Sequence, residues 1–333
     1  MLLNWNGWRD TIECLESLFR NDYPRYQVVV CDNGSQDGSL ERLQAWAEGH
    51  LDVDISPDHP LRHFSFPPVS KPIPFVQLDR EQAIASAGVP LPNKSLVLID
   101  NRDNVGFARG TNVGMRYALG QGDCTYIWLL NGDTVVARDA LVHLVDRMRR
   151  DPGIGLCGSA LLFYHEPCRV QALCGATFNR WFATSRHIGA FRPAERCVNV
   201  ERTERDIDYV VGASLLTSRR FVEAIGLMSE DYFLYFEEID WATRASGKYK
   251  LACSLKSIVY HKEGASIGSS SKPAKKSLAA DYYGLRNRLV FTRKFFPLRL
   301  PTVYLGLLIA MLRRVARGQW DRVGMVWKII WTG

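Results

Sequence analysis

The chain has 333 residues, 47% hydrophobic and 23% charged, which fits one large globular domain or two ordinary ones. This excludes collagen-like, repetitive and disordered classes, and the absence of a run of about eighteen apolar residues excludes a conventional membrane-spanning helix. The net charge of +7 is concentrated at one end: residues 281–333 carry ten Lys/Arg against two Asp, a net +8, so the rest sums to −1. A basic tail on a neutral body speaks for a local anionic partner and against a nucleic-acid-binding body.

The chain opens inside an apolar stretch, Met1-Leu2-Leu3, with no basic, apolar, small-residue leader. The expectation is a cytoplasmic protein with a few strand residues missing upstream. Residues 1–4 read as a strand end, and 8–20 as an amphipathic helix with Ile12, Leu15, Leu18 and Phe19 on one face. Residues 27–31 form a wholly apolar run typical of a parallel strand buried on both faces. A turn cluster, Asp32-Asn33-Gly34-Ser35, follows, and then a helix to about residue 47. Eight of the fifteen prolines lie between 57 and 92. Proline lacks an N–H and fixes φ, so this stretch is expected to be an inserted loop without ladders or long helices.

Residues 95–100 and 125–130 read as further buried strands, separated by a helix over 110–118. This rhythm predicts an α/β fold with a mostly parallel, Rossmann-like sheet flanked by helices, whose ligands bind beyond the carboxyl ends of the strands. Residues 156–216 are expected to be β-rich and irregular. Helices are expected over 219–226 and 237–246, the second capped by Gly247, then a short strand over 257–260. The eight cysteines show no C-x-x-C pair and no regular spacing, and they read as reduced core residues.

Four strand-end clusters stand out: Asn4-Trp5-Asn6-Gly7, Asp32–Ser35, Asn131-Gly132-Asp133 and His261. Each alone is an ordinary turn or cap, but four at one sheet edge suggest a site. Asp133 offers one carboxylate to a hard divalent cation. The glycine-rich run from Asn104 to Gly114 enters a helix whose free N–H groups would favour phosphate, with Arg109 adding charge. Its spacing fits neither the dinucleotide nor the P-loop pattern. Glu237, Glu238 and Asp240 sit beside Trp241; Glu237 and Asp240 suit a helix first turn, and one of the carboxylates suits a general base.

Taken in order, N-W-N-G, C-D-N-G-S-Q-D-G-S, N-V-G-F-A-R-G-T-N-V-G, L-L-N-G-D-T, G-A-S-L-L, F-L-Y-F-E-E-I-D-W and Y-H resemble the family 2 inverting glycosyltransferases of the GT-A fold, in particular bacterial rhamnosyltransferase-type members. The resemblance spans roughly residues 1–47 and 95–295. It implies that Asn4, Asn6 and Asp32 face the nucleotide, and that Asn104, Gly106 and Asn112 shape the donor pocket. Asp133 would be the last acid of the D-x-D metal motif, with Asn131 in place of the first. His261 would be the second protein ligand of Mg²⁺ or Mn²⁺. Glu238 would be the base that deprotonates an acceptor hydroxyl, with Glu237, Asp240 and Trp241 on the acceptor side; the resemblance, not the spacing, selects Glu238 over Glu237. The implied partners are a nucleoside-diphosphate-sugar, with a leaning to dTDP-rhamnose, and a glycan or lipid-linked acceptor.

The expected organisation is a nucleotide-sugar-binding half over 1–134, an acceptor-binding and catalytic half over 135–292 with a β-rich portion, and a basic amphipathic helical tail over 293–333. In the tail, about thirteen mostly apolar residues from 300 precede Arg313, Arg314, Arg317, Arg322 and Lys328, interleaved with Trp320, Trp327 and Trp331. That pattern suits either an interfacial helix on anionic lipid, peripheral on the inner face of the plasma membrane, or a helix packed in the domain or a homodimer. Two other functions compete with this glycosyltransferase reading. A sugar nucleotidyltransferase would want a basic, glycine-rich first loop, which N-W-N-G lacks. A non-catalytic sugar-binding homologue would have lost Asp133, Glu238 or His261, and all three are present.

Overall fold

The uninterrupted apolar runs divide by alternation in the computed structural model, which describes residues 1–85, 91–194, 199–263 and 277–332. Val28, Val30, Leu96, Leu98, Trp128 and Leu130 pack into a core on one face of a sheet. Val29, Cys31, Val97 and Ile99 lie on the other face, where Ile127 and Leu129 join a second core. Side chains alternate along a strand, so a strand covered on both faces is apolar at every position.

The first elements in chain order are β1 (Leu2–Asn4), α1 (Trp8–Leu18), β2 (Val28–Asp32), α2 (Ser39–Glu48), β3 (Phe75–Asp79), α3 (Arg80–Ala85), β4 (Leu96–Asp100), α4 (Phe107–Gly120) and β5 (Tyr126–Asn131). Then come β6 (Thr134–Val136), α5 (Ala140–Arg150), β7 (Ile154–Phe163), β8 (Val170–Leu173), β9 (Gly175–Asn179), β10 (Thr184–His187), α6 (Val200–Asp206), β11 (Tyr209–Val210) and β12 (Ser214–Ser218). The last are α7 (Arg219–Ile225), α8 (Glu237–Ala245), β13 (Lys250–His261), α9 (Leu278–Phe295), α10 (Leu300–Val315) and α11 (Trp320–Thr332). Ser218 and Ser277 cap α7 and α9, each accepting from a backbone N–H three residues on.

One sheet runs through both halves in the order β3-β4-β2-β1-β5-β12-β7-β13-β6, with β8 on β7; β10, β9 and β11 form a second, antiparallel sheet. Strands β3, β4, β2, β1 and β5 are mutually parallel, and β12 runs against β5 and β7. The register aligns Asn4 with Asp32 and Asp32 with Asp100. Their polar side chains therefore share the carboxyl edge of the sheet.

Three expectations are corrected. The proline-rich stretch does hold a ladder and a helix: β3 pairs with β4 at the sheet edge and α3 follows it. No proline occurs from residue 75 to 89, so the breakers crowd its two ends. The last strand is twelve residues long, not four, because β13 runs alongside β7 through an irregular register. The cysteines are not all reduced core thiols: Cys174 and Cys253, with Cα atoms 5.3 Å apart, form a disulfide across 79 residues of sequence. Pairing at that distance comes from the sheet and leaves no spacing signal. Cys14, Cys31 and Cys157 are buried thiols, Cys124 is half-buried and Cys168 exposed; Cys197 lies outside the described residues. Burial pushes the Cys31 thiol up to about 12.

Candidate active site

A cavity of about 930 Å³ opens at the carboxyl edge, walled by Asn4, Asn131, Asp133, Glu237, Glu238 and His261 among others. Two of these meet through strand pairing. β6 lies antiparallel to β13, opposing His261 to Thr134, and Lys262 N–H donates to the Asp133 carbonyl at 2.9 Å. His261 Nε2 thus comes within 3.1 Å of Asp133 Oδ1 and 3.4 Å of Asn131 Nδ2.

On the far side of the ring, His261 Nδ1 lies 2.9 Å from Gln171 Oε1, supplied by β8. An Nδ1–H donated to Gln171 leaves the Nε2 lone pair aimed at a carboxylate oxygen. Two such acceptors converge only around a cation or a shared proton. Burial alone would lower the His261 pKa, but the Asp133 carboxylate outweighs it and the pKa is raised. A raised pKa places a proton between the two in the free chain; the same carboxylate and imidazole nitrogen could hold a divalent cation in its place. Among the described residues no cluster of three His, Cys, Asp or Glu forms.

The second chemical group stands at the start of α8. Tyr235 and Phe236 both take left-handed backbone, φ 69° and 80°, which costs of order 1–3 kcal/mol per residue without glycine. Asn287 of α9 holds the bend, its Nδ2 donating to the Leu234 and Tyr235 carbonyls at 2.8 and 3.0 Å. The bend turns Glu237 and Glu238 together into the cavity wall. Glu238 rests on Gly212, occupying the space a β-carbon there would need. Burial raises the pKa of Glu238. Glu237 is 1% exposed, and its Oε1 has no hydrogen-bond partner. Burial, and then the charge of Glu238, raises its pKa well above the glutamate range.

The other expected residues fall elsewhere. Asp240 and Trp241 do not face the cavity. Asp240 pairs with Arg244 and Lys294 and accepts from Tyr232 OH, while Trp241 Nε1 donates to the Gly226 carbonyl in the core. Asn112 is buried against another loop, donating to Met228 O and Glu230 Oε1 at 2.9 and 3.0 Å. Arg109 pairs with the same Glu230. The first N–H of α4 is taken, Phe107 N donating to Phe233 O at 2.8 Å. Gly106 has φ +84° and packs so closely on Phe233 that no β-carbon fits. Asn104 Oδ1 accepts from Gly106 N and Asn33 Nδ2.

Beside the cavity, Asp32 is buried and accepts from Asn4 Nδ2, Ser35 Oγ and Ser35 N. Desolvation raises its pKa above the usual aspartate value. Asn4 Oδ1 accepts from Thr11 Oγ1. Asn6, with φ 48°, accepts from Gln36 N. Sequence reasoning missed Gln171, which carries no signal beyond one polar residue in an apolar strand. It also missed Gly212 as the seat of Glu238, although the G-A-S-L-L block contains it.

Residues 3–59 and 78–168 match the family model "Glycosyl transferase family 2". A 148-residue segment is 25% identical to the low-salt glycan biosynthesis hexosyltransferase Agl10 of Haloferax volcanii, covering 44% of this chain and 45% of that protein. Among solved structures, the mannosyltransferase PcManGT of Pyrobaculum calidifontis, in complex with GDP-Man and Mn²⁺, aligns over 99% of this chain and 83% of its own, with TM-score 0.51 and 15% identity. GalNAc-T7 with UDP, GalNAc and Mn²⁺ aligns over 86% of this chain and 46% of its own, with TM-score 0.54 and 13% identity. The fold is that of the GT-A glycosyltransferases. The chain matches that family model over 148 of its 333 residues. It spans less than half the length of the curated relative it matches.

Proposed function

We propose that the chain is a metal-dependent inverting glycosyltransferase that moves a hexose from a nucleoside-diphosphate-sugar to a hydroxyl of a glycan or lipid-linked acceptor. The observation that carries this reading is one cavity walled both by the Asp133–His261 pair and by Glu238. Glu238 takes the proton of the acceptor hydroxyl; the acceptor oxygen bonds to the anomeric carbon as the bond from that carbon to the diphosphate breaks. A raised pKa makes Glu238 a stronger base than an exposed glutamate. Asp133 and His261 would hold Mg²⁺ or Mn²⁺, which when bound stabilises negative charge on a departing diphosphate. Asn4, Asn131 and Asp32 stand on the donor side, with Asp32 toward the base. The rhamnosyl donor suggested by the sequence motifs remains part of this proposal.

Glu238→Gln should lower turnover by about 10²–10⁴-fold while leaving nucleoside-diphosphate affinity within twofold. Unchanged turnover would remove Glu238 from the role.

The tail supports a peripheral position at the inner face of a membrane that carries the acceptor. No helix among the described residues is long and apolar enough to cross a membrane. Instead α10 exposes Leu305, Leu308, Ile309 and Leu312 along one face, followed by exposed Arg313 and Arg317. Exposed apolar residues beside cations complement an anionic lipid surface.

A further inference from the structure

Arg288 stands in the cavity wall without an anion of its own. It lies on α9, one turn after Gly284, and both residues line the cavity. Its side chain is half-buried, and no hydrogen bond or ion pair reaches it among the described residues. Asp281, two turns earlier on the same helix, is already engaged. Arg314 of α10 donates to both its oxygens at 2.7 Å, and Arg322 of α11 donates at 2.9 Å.

Among the described residues, Arg288, Arg314 and Arg322 therefore lie around one carboxylate, Asp281, where α9, α10 and α11 meet, three cations to one anion. Burial lowers the Arg288 pKa, the Arg314 charge pushes the same way, and the Asp281 charge opposes them without reversing the shift. A partly desolvated cation beside a like charge is unfavourable unless an anion completes the site. The planar guanidinium fork matches phosphate oxygens at two points.

We propose that Arg288 is the cation of a phosphate subsite on the border between the cavity and the C-terminal helices. The phosphate has two sources, the donor diphosphate and the phosphate that ties an acceptor to its lipid. The location favours the second: α9 packs on α10 and α11, and α10 carries the exposed apolar face. Naming these substrates rests on the glycosyltransferase reading; the charge excess does not.

The test is calorimetric titration of the full chain and of Arg288→Ala and Arg288→Lys. The probes are inorganic pyrophosphate, farnesyl diphosphate, and dTDP, UDP and GDP with Mn²⁺. Arg288→Ala should weaken the first two by roughly tenfold to a hundredfold and Arg288→Lys by less, with nucleoside-diphosphate binding within twofold. A loss confined to the nucleoside diphosphate would keep the subsite and assign it to the donor. Binding of farnesyl diphosphate through Arg288 with no nucleoside diphosphate bound would keep the subsite and sink the glycosyltransferase reading.

Equal affinity of wild type and Arg288→Ala for every probe, or no binding of any probe by wild type, would overturn the subsite. Folding supplies an independent check. Among the described residues Arg288 makes no hydrogen bond in the free chain, so Arg288→Ala should melt no lower than wild type without phosphate. A lower Tm would mark Arg288 as structural and overturn the proposal.

Discussion

Two adjacent carboxylates open α8, and their surroundings give them different tasks. Glu238 lies at the cavity on Gly212, half-exposed. Glu237 is buried beside it with an unpartnered oxygen, and burial raises its pKa. A carboxyl whose folded pKa is raised keeps its proton in the native state while the unfolded chain releases it near about 4.3. The native state therefore loses stability as pH rises from the unfolded value through the folded one. Glu237→Gln removes that loss. Its Tm should match wild type below about pH 4 and exceed it at pH 8. A lower Tm for the variant at pH 8 in thermal melts would contradict this reading. Helical periodicity suggested that Glu237 shares a face with Asp240. Both are buried, and the left-handed bend at Tyr235 and Phe236 sets how that turn meets the cavity; a bend built from non-glycine residues carries no sequence signature.

The elements show the same division between what is local and what is not. Strands β2, β4 and β5 were legible because each is an apolar run closed by a polar turn, and α1 and α4 because their apolar residues recur at helical spacing. Strand β3 was hidden by prolines on either side of it. The pairing of β6 with β13, which makes the Asp133–His261 contact, joins residues 128 apart and is written in no local pattern. Nor was the clamp by α9, although it shapes the turn that carries Glu238. Asn287→Ala would remove the two hydrogen bonds that hold the bend, costing about 1–3 kcal/mol. It should also lower turnover at least tenfold while nucleoside-diphosphate affinity stays within twofold, because the donor-side residues lie on other strands. Measuring kcat and Kd together checks this; a change in Kd with unchanged kcat would refute it.

At the scale of the whole molecule, one sheet carries the strand ends that hold Asn4, Asp32 and Asn131 and the β6–β13 corner, while α8 brings Glu238 to the cavity from outside it. The basic tail folds back onto this body through Arg314 and Arg322, which grip Asp281, and still leaves an apolar face outward. Vesicles containing anionic phosphatidylglycerol should sediment the protein, neutral phosphatidylcholine vesicles should not, and Leu308→Asp with Leu312→Asp should abolish the difference. Dimerisation through this face without vesicle binding would assign the tail to a second copy instead.

The central claim, that Asp133 and His261 assemble a metal-dependent nucleotide-sugar site, is tested most directly by calorimetric titration with dTDP, UDP and GDP, with and without Mn²⁺, for wild type and Asp133→Ala. Wild type should bind one of the three only when Mn²⁺ is present, and Asp133→Ala should lose that binding by tenfold or more. Binding that ignores the metal, or that survives Asp133→Ala unchanged, would contradict the account.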